Sequence, residues 1–443
     1  MSGWGSCSGS SQPEAENAKA DAPLPDTSGS GTNFFPVTDA FPQSSINGPL
    51  TKTDLNWTCP SGLTTETQTW YTVTADGSFI MSQIIYSPVG LWNPQVQMTF
   101  KYFNPTTGKK VWKSKNVDGF TTLDDKRSSK SSAFTITIKD GADGTQEYAI
   151  QANLDSDVQL LYTMKRPTSA PGWKLGDGKC GGFSYFGPSM ENQHGYVVHR
   201  FWPYAKTDGL IVIDGQAIEA TGQGMFVQAI QGMRPNLVAA RWNFCTFQST
   251  EHDGLSALLM EFTTTRDYGI AKKGSNGAMQ VREPQVVTSG SVVYRGELIA
   301  VVGATRDLNA SEDAPSRHSN TRIQHLNCAR DEFTGYDAPQ SIQYNWDGPS
   351  VSGDHAPVQA EIKLDLGKPA AMNGLIDKVD VLAEIPYFIK KFVNYVAGTK
   401  PYIYQTLNHA TLRLTLPGSV AKDGETTVTA KGTLFEEHTF ISQ

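Results

Sequence analysis

The sequence has few cysteines, no excess of positive charge and no long apolar run, and each shortage narrows its possible roles. Five cysteines are scattered along its 443 residues, at Cys7, Cys59, Cys180, Cys245 and Cys328. Their odd number and their spacing favour reduced thiols in a cytosolic protein over a disulfide framework or a metal site. The longest apolar stretches, such as residues 210–213, are too short to cross a bilayer.

Acidic residues outnumber basic ones. The chain has 37 lysines and arginines against 44 aspartates and glutamates, a formal net charge of -7. Nucleic-acid-binding surfaces need concentrated positive charge, so we expect no nucleic-acid partner. With 38% hydrophobic and 18% charged residues, the chain is typical of a globular protein. The first thirty residues lack the apolar core of a secretory signal, so we expect a soluble, cytoplasmic protein.

Short catalytic motifs are also missing. The sequence contains no G-x-S-x-G nucleophile elbow, no phosphate-binding loop and no H-E-x-x-H zinc motif. Among the eight histidines, His194 and His199 are the closest pair, and we identify no third metal ligand to go with them. We therefore expect no metal site and no cofactor, and we expect these histidines to lie at the surface or to make structural hydrogen bonds.

Short alternating segments separated by turns are the main pattern that is present. Residues 67–74 and 79–86 are rich in β-branched and aromatic residues and flank a turn at residues 75–78, which predicts a hairpin. Further predicted strands are residues 96–102, 134–139, 158–164, 210–213, 257–262, 297–302, 361–366, 411–416 and 426–430. Helices and strands do not alternate, so the pattern predicts an all-β antiparallel fold, a sandwich or barrel, with few helices.

The same pattern suggests how the chain is divided. Residues 1–45 are rich in serine, glycine and proline and predict a disordered tail. The length of the remainder favours two domains. We place their boundary near residues 208–220, which divides the chain into an N-terminal domain, residues 46–212, and a C-terminal domain, residues 213–443.

One segment departs from the β pattern. Apolar residues recur at helical spacing over residues 375–396, which predicts a helix with a kink at Pro386 and an end at Gly398. Such a helix either lies on a membrane surface or packs over the end of a barrel. We favour packing, because most amphipathic helices bury their apolar face on their own domain.

The blocks at residues 222–235 and 239–249 combine large apolar side chains with arginine, asparagine and glutamine. This mixture suits the wall of an apolar compartment that has a few polar groups. The candidate ligand-binding residues in and near these blocks are Arg200, Trp202, Tyr204, Met225, Phe226, Arg241, Trp242, Asn243 and Phe247. The alternative is that Trp202 and Trp242 fill barrel cores or join the two domains.

Two carboxylates, Glu261 and Glu384, lie within apolar stretches. A buried carboxylate needs a partner, and Arg200 or Arg241 is expected to supply one.

Several motifs occur together in one order: Phe201-Trp202-Pro203, Trp242-Asn243-Phe244, and residues 260–264, 379–386, 398–405 and 439–442. In these motifs the chain resembles the fungal survival factor 1 family over about residues 50–443. The resemblance implies two tandem lipocalin-like antiparallel β-barrels. It also implies a soluble carrier that moves ceramide, or a similar long-chain lipid, between endoplasmic reticulum and Golgi membranes. The resemblance further implies that the protein is cytoplasmic, touches those membranes transiently and supports survival of oxidative stress.

Two other functions stay open. Lipocalin-like tandem folds also occur among fungal enzymes, namely pericyclic cyclases and isoprenoid hydratases, whose chemistry needs little beyond a shaped apolar pocket. An interaction scaffold without a ligand is the third possibility. The sequence therefore does not decide whether the protein is an enzyme.

Overall fold

The structure, a computed structural model, describes residues 27, 29, 31–88, 94–273, 280–310, 316–384, 400–421 and 424–442. It is built almost entirely of antiparallel strands, and the predicted all-β fold class is confirmed. The two large sheets form a curled half-barrel and a nearly closed barrel. No helix among the described residues is both long and apolar enough to cross a membrane.

The first sheet contains sixteen strands. They are β1 (Phe34–Phe35), β2 (Asn47–Pro49), β3 (Thr65–Thr74), β4 (Phe79–Ser87), β5 (Gln95–Phe103), β6 (Lys110–Asn116), β7 (Thr121–Thr122), β8 (Ser129–Lys130), β9 (Phe134–Asp140), β10 (Gln146–Asn153), β11 (Val158–Arg166), β12 (Trp173–Leu175), β13 (Phe183–Phe186), β14 (Gly195–Ile213), β15 (Gln216–Glu219) and β16 (Gly222–Gln231). The main strand order is β6-β5-β4-β3-β16-β14-β11-β10-β9-β8-β7. We call the unit built on this sheet the first barrel.

The second sheet and two small hairpins follow. The remaining strands are β17 (Arg241–Ser249), β18 (Leu255–Thr263), β19 (Ile270–Lys273), β20 (Gln280–Glu283), β21 (Gln285–Tyr294), β22 (Glu297–Asp307), β23 (Arg322–Leu326), β24 (Ala329–Arg330), β25 (Asp337–Ala338), β26 (Ser341–Pro349), β27 (Pro357–Asp365), β28 (Leu375–Asp380), β29 (Tyr402–Thr415) and β30 (Thr427–Phe440). The order is β22-β21-β18-β17-β30-β29-β27-β26-β23, with β28 paired to β29. A bridge between Ala300 and Ser350 brings distant parts of this sheet together. We call this unit the second barrel.

Helices are short in the described part of the chain. They are the α-helices α1 (Pro235–Val238) and α2 (Val381–Glu384) and the 3-10 helices η1 (Val37–Ala40), η2 (Gln43–Ser45), η3 (Lys52–Leu55), η4 (Glu251–Asp253) and η5 (Pro369–Ala371).

The predicted hairpin at residues 67–86 is confirmed, because β3 and β4 pair antiparallel around its turn. Asp76 holds the turn by accepting from the backbone N–H and the hydroxyl of Ser78, both at 3.0 Å. Gly77 has φ +83°, a conformation that glycine adopts without steric cost.

Tertiary pairing replaces the first part of the helix predicted at residues 375–396. Residues 375–380 form β28, in which Lys378 pairs with Tyr404 and Val379 pairs with Ile403 of β29. The helical prediction is therefore wrong there, because pairing with a neighbouring strand outweighs the apolar period of an isolated segment. Only α2 is helical, and the rest of the prediction lies outside the described residues.

The extent of the N-terminal tail and the boundary between the two domains also differ from the prediction. Residues 34–45, assigned to a disordered tail, include β1, η1 and η2, and Phe34 is fully buried. Residues 1–26 lie outside the described residues. Strand β16 pairs with β3 and β14 of the first sheet. The sheets thus divide between Gln231 and Arg241, later in the chain than the predicted boundary.

The thiol prediction holds for some of the cysteines. Cys59, Cys245 and Cys328 are free, as expected. Cys180 is disulfide-bonded, so the expectation of reduced thiols is wrong for that residue.

An apolar layer joins the two barrels. It contains Met225 from the first sheet with Leu258 from the second, and the rings of Phe79 and Phe435 stack across it with their centroids 4.0 Å apart. At its edge, the ammonium of Lys110 lies 3.3 Å from an Asp377 carboxylate oxygen. The barrels therefore share a buried interface, and much of the space between them is filled by core side chains.

Candidate functional site

The structure distributes the nine candidate residues over different compartments. Successive residues of a strand face opposite sides of the sheet, so neighbours in the sequence enter different cores. Trp202 and Phe226 are directly opposite each other on β14 and β16 and face the core of the first barrel. There Trp202 meets Tyr148, with ring centroids 4.8 Å apart, and Trp70 meets Phe226 at 5.4 Å. These aromatic rings occupy the barrel interior.

Other candidates face the interface or the second barrel. Met225 and Tyr204 lie in the layer between the barrels. Phe247 is fully buried in the core of the second barrel. The structure therefore does not gather the nine residues into one site, and their role in ligand binding stays a prediction.

Asn243 belongs to a buried polar network in the second barrel. Its carbonyl oxygen accepts from Nε2 of His325 at 3.0 Å and Nδ1 of His438 at 3.2 Å. Its amide nitrogen donates to Glu261 at 3.3 Å. Glu261 also accepts from Nη1 of Arg306 at 2.8 Å. The hydrogen-bonded cation on Glu261 is therefore Arg306. Of the two arginines that the sequence suggested, Arg241 contributes only through its nearby charge, which also lowers the pKa of Glu261.

The two candidate arginines have other surroundings. Arg200 is 3% exposed, and its Nε lies 4.0 Å from Asp54, which accepts a shorter bond from Lys174 at 2.7 Å. Arg241 is half-buried at the start of β17. Burial lowers the pKa of both guanidinium groups. The side chain of Glu384 lies outside the described residues.

Trp242 is the candidate that lies beside a pocket. Its ring is 5.6 Å from His199 and 5.2 Å from Phe262, measured between centroids, and both of these residues line the pocket. The pocket lies between the two sheets and is narrow, with a cavity volume of about 20 Å³. Its lining residues are Val37, Trp173, Leu175, Gly182, Ser184, Val197, His199, Phe201, Phe262, Val287 and Ser289.

A few uncharged polar groups interrupt this apolar lining. The indole N–H of Trp173 is buried and has no hydrogen-bond partner in the described part of the chain. Ser184 accepts from the backbone N–H of Val37 at 3.0 Å, which leaves its own hydroxyl proton able to donate. Burial lowers the pKa of His199 to about 4, so its imidazole is neutral near pH 7. The pocket thus presents donors and acceptors without a formal charge.

Trp173 and the pocket-facing role of His199 were not predicted from the sequence. Strand alternation contained part of the answer, because Phe201 and His199 share one face of β14 while Trp202 lies on the other. The partner of that face was not predictable, since Phe262 and Ser289 come from strands more than sixty residues away.

We predict that His199 makes the folded state sensitive to acid. An unfolded histidine has a pKa of about 6.5, so between about pH 6.5 and 4 the unfolded chain binds a proton that the folded chain does not. The free energy of unfolding should therefore fall as the pH falls through this range. Urea unfolding at several pH values should show a flatter dependence for His199→Gln than for the wild type. The exposed His409→Gln control should keep the wild-type slope, and an unchanged slope in His199→Gln would contradict the prediction.

Together the fold and the pocket define a class: a tandem lipocalin-like β-barrel protein with a neutral, largely apolar pocket between its sheets. Within that class the chain belongs to the Svf1 family, whose model matches residues 16–442.

Relatives agree with this placement, and a solved structure shares the fold. The chain is 32% identical over 411 residues to the ceramide-binding protein svf1 of Aspergillus fumigatus, covering 89% of this chain and 90% of that one. It is 32% identical over 408 residues to the ceramide-binding protein SVF1 of Yarrowia lipolytica, with the same two shares. The crystal structure of CghA with Sch210972 is similar with a TM-score of 0.52 and 11% identity, over 86% of this chain and 90% of that one. The likeness to CghA concerns the fold alone.

Proposed function

We propose that this protein binds ceramide and that the pocket between the two sheets receives its polar end. The observation that carries the proposal is the combination of an apolar lining with uncharged hydrogen-bonding groups. Ceramide has the matching chemistry, since an amide and hydroxyl groups without net charge are attached to long hydrocarbon chains. The relatives named as ceramide-binding proteins support the choice of this lipid.

The polar groups of the pocket suit an amide. The Trp173 N–H and the Ser184 hydroxyl are donors for a carbonyl or hydroxyl oxygen, and His199 offers one donor and one acceptor while it is neutral. Satisfying the buried Trp173 N–H removes the cost of leaving a donor without a partner. A charged headgroup would find no countercharge among the residues that line the pocket, so the site should discriminate against it.

The apolar lining suits the beginning of the chains. Each methylene group that leaves water contributes about 0.8 kcal/mol. The cavity itself measures only about 20 Å³, far below the range of about 300–1,000 Å³ for small-ligand pockets. It has room for about one water molecule, so the pocket must widen before the polar end of a ceramide and its chains can enter.

A protein that shelters these chains from water can carry the lipid between membranes. We therefore extend the proposal to ceramide transfer between endoplasmic reticulum and Golgi membranes, by a cytoplasmic protein that touches each membrane transiently and supports survival of oxidative stress. The support for this extension is the resemblance in sequence together with the chemistry of the pocket.

We predict that filling the pocket abolishes ceramide capture. Ser289, which is 8% exposed and lines the pocket, is replaced by phenylalanine. After incubation with phosphatidylcholine vesicles that contain ceramide, mass spectrometry of the separated protein should find at least tenfold less ceramide on Ser289→Phe than on the wild type.

The matched control is Gln151→Phe, which adds the same ring at an exposed position of β10 and should retain wild-type ceramide. Thermal unfolding of both variants checks that the added ring has not simply unfolded the protein. Equal ceramide on Ser289→Phe and on the wild type would contradict the site. A wild-type protein that carries no ceramide would contradict the function, and a different bound small molecule would favour the enzymatic alternative.

A further inference from the structure

Residues 36–45, which we call the strap, join β1 to β2 and contain η1 and η2. We infer that the strap is the lid of the pocket between the sheets and that it must lift for a lipid chain to enter. This inference rests on the proposed function, because it names the route into the same site. It arises from three features of the strap: its position over the pocket, its fixed ends and the small number of contacts that hold its middle.

The strap covers one side of the pocket. Val37 of η1 is among the residues that line the pocket and is 4% exposed. Its backbone N–H donates to Ser184, another lining residue, at 3.0 Å. Moving this part of the strap would therefore enlarge the pocket and release a polar group for the ligand at the same time.

Both ends of the strap are fixed to the first barrel. In β1, Phe34 pairs with Phe186, and beyond the strap β2 pairs with β12. The backbone N–H of Gly176 donates to the carbonyl of Ile46 at 2.7 Å. These pairings are suited to act as hinges, because they hold the chain on either side of a segment that is itself not part of a strand.

Side chains hold the middle of the strap to the second barrel. The hydroxyl groups of Thr38 and Thr305 are hydrogen-bonded, and the side-chain amide of Gln43 donates to the carbonyl of Gly303 at 3.3 Å. Asp39 lies 2.8 Å from Nε2 of His318. Asp39 also pairs with Arg317, whose Nε lies 3.5 Å away, and these side chains are partly exposed, so solvent weakens their attraction. We call these contacts the latch.

The other walls of the pocket are much harder to displace. His199 and Phe201 lie on β14, whose backbone pairs with several strands of the first sheet. Phe262 and Ser289 lie on the paired strands β18 and β21. Opening such a wall breaks a ladder of backbone hydrogen bonds. Lifting the strap breaks no strand pairing, only the latch, the Val37–Ser184 hydrogen bond and the packing of Val37 and Phe41 on the apolar layer. The strap is therefore the wall that yields when a long chain enters.

A reversible crosslink across the latch tests the inference. Because the hydroxyl groups of Thr38 and Thr305 touch, cysteines at both positions are within reach of a disulfide. In the full chain carrying Thr38→Cys and Thr305→Cys, oxidation should slow uptake of a fluorescent ceramide from phosphatidylcholine vesicles at least tenfold. Reduction should restore the wild-type rate. The two single variants and the wild type, treated with the same oxidant and reductant, control for the native cysteines.

Hydrogen exchange provides a second measurement that needs no ligand. Amides of the strap should exchange faster than those of β14 and β18, and oxidation of the cysteine pair should slow them selectively. Equal uptake by the oxidised and reduced forms would overturn the lid. Strap amides as protected as those of β14 would overturn it too, whether or not ceramide binds. If the wild type takes up no ceramide but its strap amides exchange faster than those of β14, the proposed function fails while the lid is supported.

Discussion

Replacing Trp202 by alanine is expected to lower the free energy of unfolding by about 3–5 kcal/mol, the range for removing a large aromatic side chain from a core. The side chain is fully buried in the first barrel, where its ring packs on Tyr148 and Phe226. Its indole N–H has no hydrogen-bond partner among the described residues, so the loss comes from packing and from the cavity that remains. Urea unfolding, followed by circular dichroism, measures the change.

This result separates the two roles that the sequence left open for Trp202. The control is Phe333→Ala, since the Phe333 side chain is 70% exposed and its removal should change the free energy of unfolding by no more than about 0.5 kcal/mol. If Trp202→Ala kept nearly all of its stability but lost ceramide, Trp202 would belong to the ligand-binding wall. A loss of several kcal/mol would identify it as a core residue.

Removing the cation beside Glu261 should have the second largest effect. Glu261 is 1% exposed and accepts from Nη1 of Arg306 and the hydroxyl of Thr288, each at 2.8 Å. Arg306→Met leaves this carboxylate buried without its hydrogen-bonded cation, which should cost about 3 kcal/mol at pH 7. We take the lower end of the usual range because the bonds from Thr288 and Asn243 remain.

The pH dependence of this loss distinguishes a buried charge from simple packing. Burial alone would raise the pKa of Glu261, but Arg306, the hydrogen bond from Thr288 and the nearby charge of Arg241 together outweigh burial, and the pKa lies below its ordinary value. In the wild type the carboxylate therefore contributes stability above pH 4, and this contribution is lost as the pH falls through the folded pKa. In Arg306→Met the pKa should rise, so the deficit relative to the wild type should shrink as the pH is lowered from 7 to 4.

A double variant completes the test of the ion pair. Glu261→Gln combined with Arg306→Met removes both charges and should recover part of the stability lost in Arg306→Met, as measured by urea unfolding at pH 7. A deficit in Arg306→Met that stays constant from pH 7 to 4, with no recovery in the double variant, would show that the charge of Glu261 does not matter.

The apolar residues that the sequence assigned to one ligand-binding wall lie in different compartments of the structure. The sequence suggested that one compartment was walled by Trp202, Trp242 and their neighbours. Instead, Trp202 fills a barrel core and Trp242 flanks a pocket between the sheets. The opposite face of β14 supplies His199 and Phe201 to that pocket. One strand thus builds a core with one face and a candidate site with the other.

Prediction from the sequence succeeded where the local pattern and the fold agree. The hairpin of β3 and β4 was predictable because alternating β-branched and aromatic residues flank an Asp-Gly turn. The prediction failed for residues 375–380, whose apolar spacing fits a helix but whose backbone pairs with β29. It failed again for residues 34–45, because their burial depends on Phe186 and Thr305, far away in the sequence.

By itself the sequence determined the all-β class, the hairpin of β3 and β4 and, through several ordered motifs, the family. Those properties depend on the types of residues at short spacing along the chain, and this local pattern is present in the sequence itself. The tertiary structure alone decided which compartment each face of β14 meets, that Glu261 binds Arg306, and that the strap covers a pocket. When both faces of a strand are buried, both carry apolar residues, so alternation no longer tells them apart. Only the packing of distant segments then assigns one face to a core and the other to a site.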